Sequence, residues 1–86
     1  MKISEVDIQL VKPSNGLIGF ASLVIDESIY LGSIGIFKKL NEFGYRITYP
    51  TKKSGDKDFN LYHPITKEAS LTIEQAIFNQ LKILGL

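Results

Sequence analysis

Val6, Ile8 and Leu10 alternate with Glu5, Asp7 and Gln9, a period of two that predicts a strand over residues 3–12 with one face buried and one wet. Pro13-Ser14-Asn15-Gly16 interrupts it. Asn15-Gly16 suits the positive φ angles of a tight hairpin turn, so residues 3–12 and 17–25 are expected to pair antiparallel. The run from Leu17 to Ile25 is apolar on both faces with small residues interspersed, which reads as a central strand covered on both sides. Asp26-Glu27-Ser28 connects it to a second β-rich run, Ile29 to Phe37, whose Gly32 and Gly35 fit a bulge, strong coiling or the close approach of another backbone. Tyr45-Arg46-Ile47-Thr48-Tyr49 alternates again and stops at Pro50, giving a fourth strand with Tyr45, Ile47 and Tyr49 toward the core.

Residues 51–58 are polar and contain Gly55, the pattern of an exposed, mobile loop, and Phe59-Asn60-Leu61-Tyr62 follows as a short strand. Proline at 64 keeps His63 extended. In the last segment Ile73, Ala76, Ile77, Leu81 and Leu84 fall on one helical stripe, with Thr72 and Gln75 spaced as a capping box and Gly85 as a stop. The pattern predicts a helix over about 72–84. The expected fold is therefore α+β: a small, strongly twisted antiparallel sheet of about four to five strands followed by a C-terminal helix, in one domain spanning 1–86.

At 86 residues such a domain buries only ~60–65% of its unfolded surface, which makes self-association a favoured source of further stability. The absence of cysteine excludes disulfides, thiolate metal sites and thiol nucleophiles. No apolar run approaches the ~20 residues of a membrane span, and the N-terminus lacks a signal-peptide core, so a cytoplasmic protein without a membrane partner is expected. The net charge is only +1, but it is unevenly spread. Between residues 38 and 57 Lys38, Lys39, Arg46, Lys52, Lys53 and Lys57 stand against Glu42 and Asp56, a local net of +4.

Catalytic constellations are poorly represented. His63 is the only histidine, too few for a convergent metal site, and sits where it would anchor a turn. Ser33, in Gly32-Ser33-Ile34-Gly35, is not at a nucleophile elbow. The acidic pairs Asp26-Glu27 and Asp56/Asp58 lie in polar turns. Gly16-Leu17-Ile18-Gly19 opens an apolar strand instead of joining two helices, which removes a nucleic-acid clamp of that type. No catalytic residue, cofactor or metal is expected. The remaining chemistry is the basic stretch, whose cations suit backbone phosphates.

The run Tyr45-Arg46-Ile47-Thr48-Tyr49-Pro50-Thr51-Lys52-Lys53-Ser54-Gly55-Asp56-Lys57-Asp58-Phe59-Asn60-Leu61-Tyr62-His63-Pro64-Ile65 resembles the central signature of the SpoVG family, the stage V sporulation protein G or septation regulators. That signature is a strand ending in Met-Pro, a basic loop like Ser-Lys-Arg with glycine, then phenylalanine and a closing Ala-His-Pro-Ile. Lys52 and Lys53 fall on its basic pair. The likeness covers nearly the whole chain, through a strand ending in Asp26, the segment Ile34-Gly35-Ile36, and Ile73-Glu74-Gln75-Ala76-Ile77 in the closing helix. It implies a protein that dimerises through its sheet and binds nucleic acid as a bacterial regulator, with no catalytic residue. The chain departs from the family, which usually carries arginines where this chain has Asp7, Gln9 and Gly35 and commonly a basic residue where it has Asn60, after the phenylalanine, and Leu71-Thr72, near the helix start.

Two functions follow as expectations. The first is a homodimeric nucleic-acid-binding regulator acting chiefly on duplex DNA, with Lys52, Lys53 and Lys57 on phosphates and Lys38, Lys39 and Arg46 supporting the field. The second is a protein-interaction adaptor that docks a partner on an edge strand or the C-terminal helix, for which exposure of Leu40 and Phe43 is the distinguishing feature.

Overall fold

The computed structural model describes residues 1–40 and 42–86. Four strands, β1 (Ile3–Ser14), β2 (Leu17–Ile25), β3 (Ile29–Lys38) and β4 (Tyr45–Thr48), form an antiparallel sheet in the order β1-β2-β3-β4. Two shorter strands, β5 (Thr51–Ser54) and β6 (Lys57–Asn60), pair only with each other, and one helix, α1 (Lys67–Ile83), closes the chain. The α+β expectation holds. The sequence places five strands in one sheet at most, whereas the chain divides six between a main sheet and a separate ribbon.

Both connections inside the first three strands are tight turns with left-handed backbone. Asn15 and Gly16 take φ of 52° and 90°, and Asp26 and Glu27 take 51° and 56°. The second turn is held by the Asp26 carboxylate, which accepts the Lys2 amide proton at 2.8 Å. In β3 the register with β2 slips between Leu31 and Ile34, so that Gly32 and Ser33 together face Ser22. This is the bulge anticipated at Gly32, with Ser33 at φ 59°. Gly35 lies in no bulge, and what approaches it closely is side chains, not another backbone. A Cβ there would lie 2.7 Å from Thr48 Oγ1 and 3.2 Å from Phe37 Cε1.

The core lies between one sheet face and α1. Ala21 and Leu23 of β2 and Ile34 and Ile36 of β3 meet Ile73, Ile77 and Leu81 of the helix, with Tyr45, Ile47 and Tyr49 packed around them. Fully burying one such aliphatic side chain contributes about 1.5–3 kcal/mol. The opposite sheet face has no layer over it among the described residues. Phe20 and Tyr30 there remain exposed, so the expectation that β2 is covered on both sides fails within a single chain.

Two further expectations are corrected. The helix begins at Lys67, five residues before the sequence pattern places it, because Thr66 and not Thr72 is the cap: Thr66 Oγ1 accepts the Ala69 amide at 3.1 Å. Thr72 lies inside the helix and donates to the Glu68 carbonyl at 2.9 Å. At the other end Gly85 at φ 83° reverses the chain, and the amides of Gly85 and Leu86 return to the carbonyls of Lys82 and Leu81. Residues 51–58 are not a loop but most of the β5–β6 ribbon, turned at Gly55.

Candidate nucleic-acid interface

The six cations expected to form the site fall on two different units. Lys52, Lys53 and Lys57 lie on the ribbon, every residue of which is exposed. Lys38, Lys39 and Arg46 lie at the corner where β3 passes into β4. β4 enters at this corner and leaves for the ribbon at its far end, so the two groups flank the strand instead of forming one continuous stretch.

Register separates the ribbon cations further. Lys52 pairs with Phe59 and Ser54 with Lys57, while Lys53 pairs with Asp58 and Thr51 with Asn60. Cross-strand partners share a face and neighbours alternate. One face therefore presents Lys52, Lys57 and the half-exposed ring of Phe59 without an acid, and the other sets Lys53 opposite Asp58. Read as a loop, the segment offers no reason to distinguish Lys52 from Lys53. The available signal was Gly55-Asp56 between two four-residue polar segments, the spacing of a two-residue hairpin.

At the β3–β4 corner, Arg46 is the direct cross-strand partner of Phe37, and its guanidinium carbon stands 4.6 Å from the ring centroid. The stacked guanidinium stays exposed and its planar fork is oriented by the ring. Among the described residues only Lys39 of the six is in an ion pair, a loose one with Glu42 at 3.8 Å.

Three of the positions singled out in the sequence, Asp7, Gln9 and Gly35, come together on one face. Gln9, Phe20, Gly35 and Thr48 are successive partners across β1, β2, β3 and β4, and Asp7 lies on the same face opposite Ser22. Asp7, Gln9 and Gly35 thus share the uncovered sheet face, which forms a shallow depression lined by Asp7, Gln9, Phe20, Ser22, Tyr30 and Ser33. Of the six candidate cations, Arg46 shares this face, two residues from Thr48 on β4.

His63 is exposed and its Nδ1 lies 3.1 Å from the Pro64 carbonyl, a contact that needs the proton on Nδ1 because a carbonyl only accepts. That is the turn-anchoring role expected of it. Among the described residues no three His, Asp or Glu side chains gather in a metal-binding group, and no helix is long and apolar enough to cross a membrane.

Sheet, single helix and protruding ribbon define a small α+β domain whose exposed chemistry is laid out on strands, not gathered in a deep cleft. The chain belongs to the SpoVG family, whose model matches residues 1–82. It is 31% identical over 78 residues to a Treponema denticola protein named "Putative septation protein SpoVG", an alignment covering 90% of this chain and 82% of that one. A Finegoldia magna protein of the same name is 32% identical over 81 residues, covering 93% of this chain and 73% of the relative.

Proposed function

We propose that this chain is a homodimeric, non-enzymatic regulator of the bacterial cytoplasm that binds nucleic acid, chiefly duplex DNA, through the β5–β6 ribbon. The observation that carries the reading is the acid-free ribbon face of Lys52, Lys57 and Phe59. A two-stranded ribbon fits the width of the DNA major groove, where cations on one face meet phosphates and an aromatic ring meets apolar base edges. Lys38, Lys39 and the stacked Arg46 add to the field from the neighbouring corner. Dimerisation is supported by the uncovered sheet face, where Phe20 and Tyr30 stand exposed on a domain with a thin core. Two copies would carry two ribbons.

Fluorescence anisotropy with mixed-sequence duplex DNA and with RNA, across a salt series, tests this reading. Binding that weakens linearly on a log–log plot against salt is the expected result. No binding at low salt would remove it. The adaptor reading has its own support, since Leu40 is 90% and Phe43 104% exposed.

A further inference from the structure

We propose that the end of the domain around Tyr45 is a docking site for an acidic peptide segment of a partner protein, one that carries large apolar side chains between its carboxylates. Three recesses meet at Tyr45. The largest is an open cleft of about 610 Å³ whose walls include Leu40, Phe43 and Gly44. A second is floored by Phe78, Leu81 and Leu86 of the helix end, and a third by Leu10, Val11 and Ile18 of the first hairpin. Leu10, Leu40, Phe43 and Leu86 are all exposed, so this end presents contiguous apolar surface that none of the described residues covers.

Charge identifies the occupant. Lys38, Lys39 and Lys82 line the same recesses and Glu42 is the one acid among them. An apolar floor with a cationic rim complements carboxylates flanking apolar anchors. A second copy meeting this end symmetrically would bring two cationic rims together with only one Glu42 from each copy to offset three lysines, which disfavours it. Phe43 offers nucleic acid one ring to stack on, but the aliphatic Leu10, Leu40 and Leu86, which make up the rest of the exposed apolar surface, offer none. β4 adds a further feature suited to a peptide. It is an edge strand, paired only with β3, so its outer edge can accept backbone hydrogen bonds from an extended segment.

Docking here is separable from ribbon binding, because Lys52, Lys53 and Lys57 line none of these recesses. The test uses the full chain and fluorescein-labelled synthetic peptides of equal length: one alternating Leu or Phe with Glu, one with Lys in place of Glu, and one with Ser in place of the apolar residues. Only the first is expected to saturate by anisotropy, with amide shift changes centred on Tyr45 and Leu86. The double variant Leu40→Ser/Phe43→Ser and the single variant Lys82→Glu are each expected to weaken it by roughly tenfold or more. All three side chains are exposed, so circular dichroism should show an unchanged fold. Equal binding of the basic peptide, no binding of the acidic one, or affinity unchanged in Leu40→Ser/Phe43→Ser would overturn the assignment. So would sedimentation showing that this double variant dissolves a homodimer, or pelleting with phosphatidylserine vesicles that the double variant abolishes, since either gives the surface to another occupant.

Discussion

Tyr62 donates its phenolic proton to the carbonyl of Gly32 across 2.7 Å, tying the segment that follows the ribbon to the bulge of β3. The bond anchors the base of an otherwise exposed ribbon to the sheet. Burial, with smaller contributions from the charges of Tyr49 and Tyr30, pushes the Tyr62 phenol up from 10.0 to about 12. The folded chain thus holds this proton more tightly than the unfolded one. Its contribution to stability is complete below about pH 10 and is lost as pH rises toward about 12. Urea midpoints measured across that window should fall, and Tyr62→Phe should make the fall shallower while lowering stability at neutral pH by about 1 kcal/mol. An equally steep alkaline loss in the variant would assign the effect to other groups.

Tyr49, which meets the Tyr62 ring edge-on with centroids 5.9 Å apart, differs from it in hydrogen bonding. Its hydroxyl is buried with no hydrogen-bond partner among the described residues, and burial, followed by the charge of Glu74, raises its pKa. Tyr49→Phe keeps the ring contact and removes an unsatisfied polar atom. Neutral-pH stability should stay the same or rise by up to about 1 kcal/mol in urea denaturation.

The two threonines of the helix give a paired test of where it begins. Thr66→Ala removes the bond to the Ala69 amide and should lower stability by about 1 kcal/mol. Thr72→Ala removes only a back-bond to the Glu68 carbonyl and improves helix propensity, so stability should hold or rise slightly. Thermal melts with the reverse order would place the cap where the sequence pattern does.

Periodicity was a sound guide wherever burial imposed it. Val6 and Ile8, the apolar run of β2, and the stripe Ile73, Ile77 and Leu81 each announce an element that packs on the core, while Leu10, on the same alternation, is left exposed. It failed where no face is buried. β5 and β6 are exposed throughout, so nothing in their hydrophobic pattern separates a polar ribbon from a polar loop; only Gly55-Asp56 marks the turn. The helix start was misplaced for a related reason. Lys67, Glu68, Ala69 and Ser70 precede the apolar stripe, and a cap defined by the stripe, Thr72, lies six residues after the actual cap Thr66. The candidate cations were legible as residues but not as an arrangement, because their division between ribbon and corner depends on strand register.

Gly35 shows why fold and charge departures are linked. Any side chain at this position begins with a Cβ 2.7 Å from Thr48 Oγ1, so Gly35→Arg cannot place a cation on the sheet face without displacing Thr48. The substitution should destabilise by about 1–3 kcal/mol, and Gly35→Ala by a similar amount, because both meet the same crowding. Adding Thr48→Gly to Gly35→Arg should recover part of that loss in chemical denaturation. A fully stable Gly35→Ala protein would show that Thr48 moves aside freely.

The ribbon register makes its own prediction about binding. Lys52 and Lys57 share the acid-free face with Phe59, whereas Lys53 stands opposite Asp58. Each phosphate neutralised contributes about −0.9 to the slope of log K against log salt on duplex DNA. Lys52→Gln and Lys57→Gln should therefore each make the slope shallower by about one, and Lys53→Gln by clearly less. Asp58→Asn, which leaves Lys53 without its opposing acid, should tighten binding at low salt. Equal slope changes for Lys52 and Lys53 would mean that the ribbon meets nucleic acid edge-on, with both faces engaged, instead of laying one face against it.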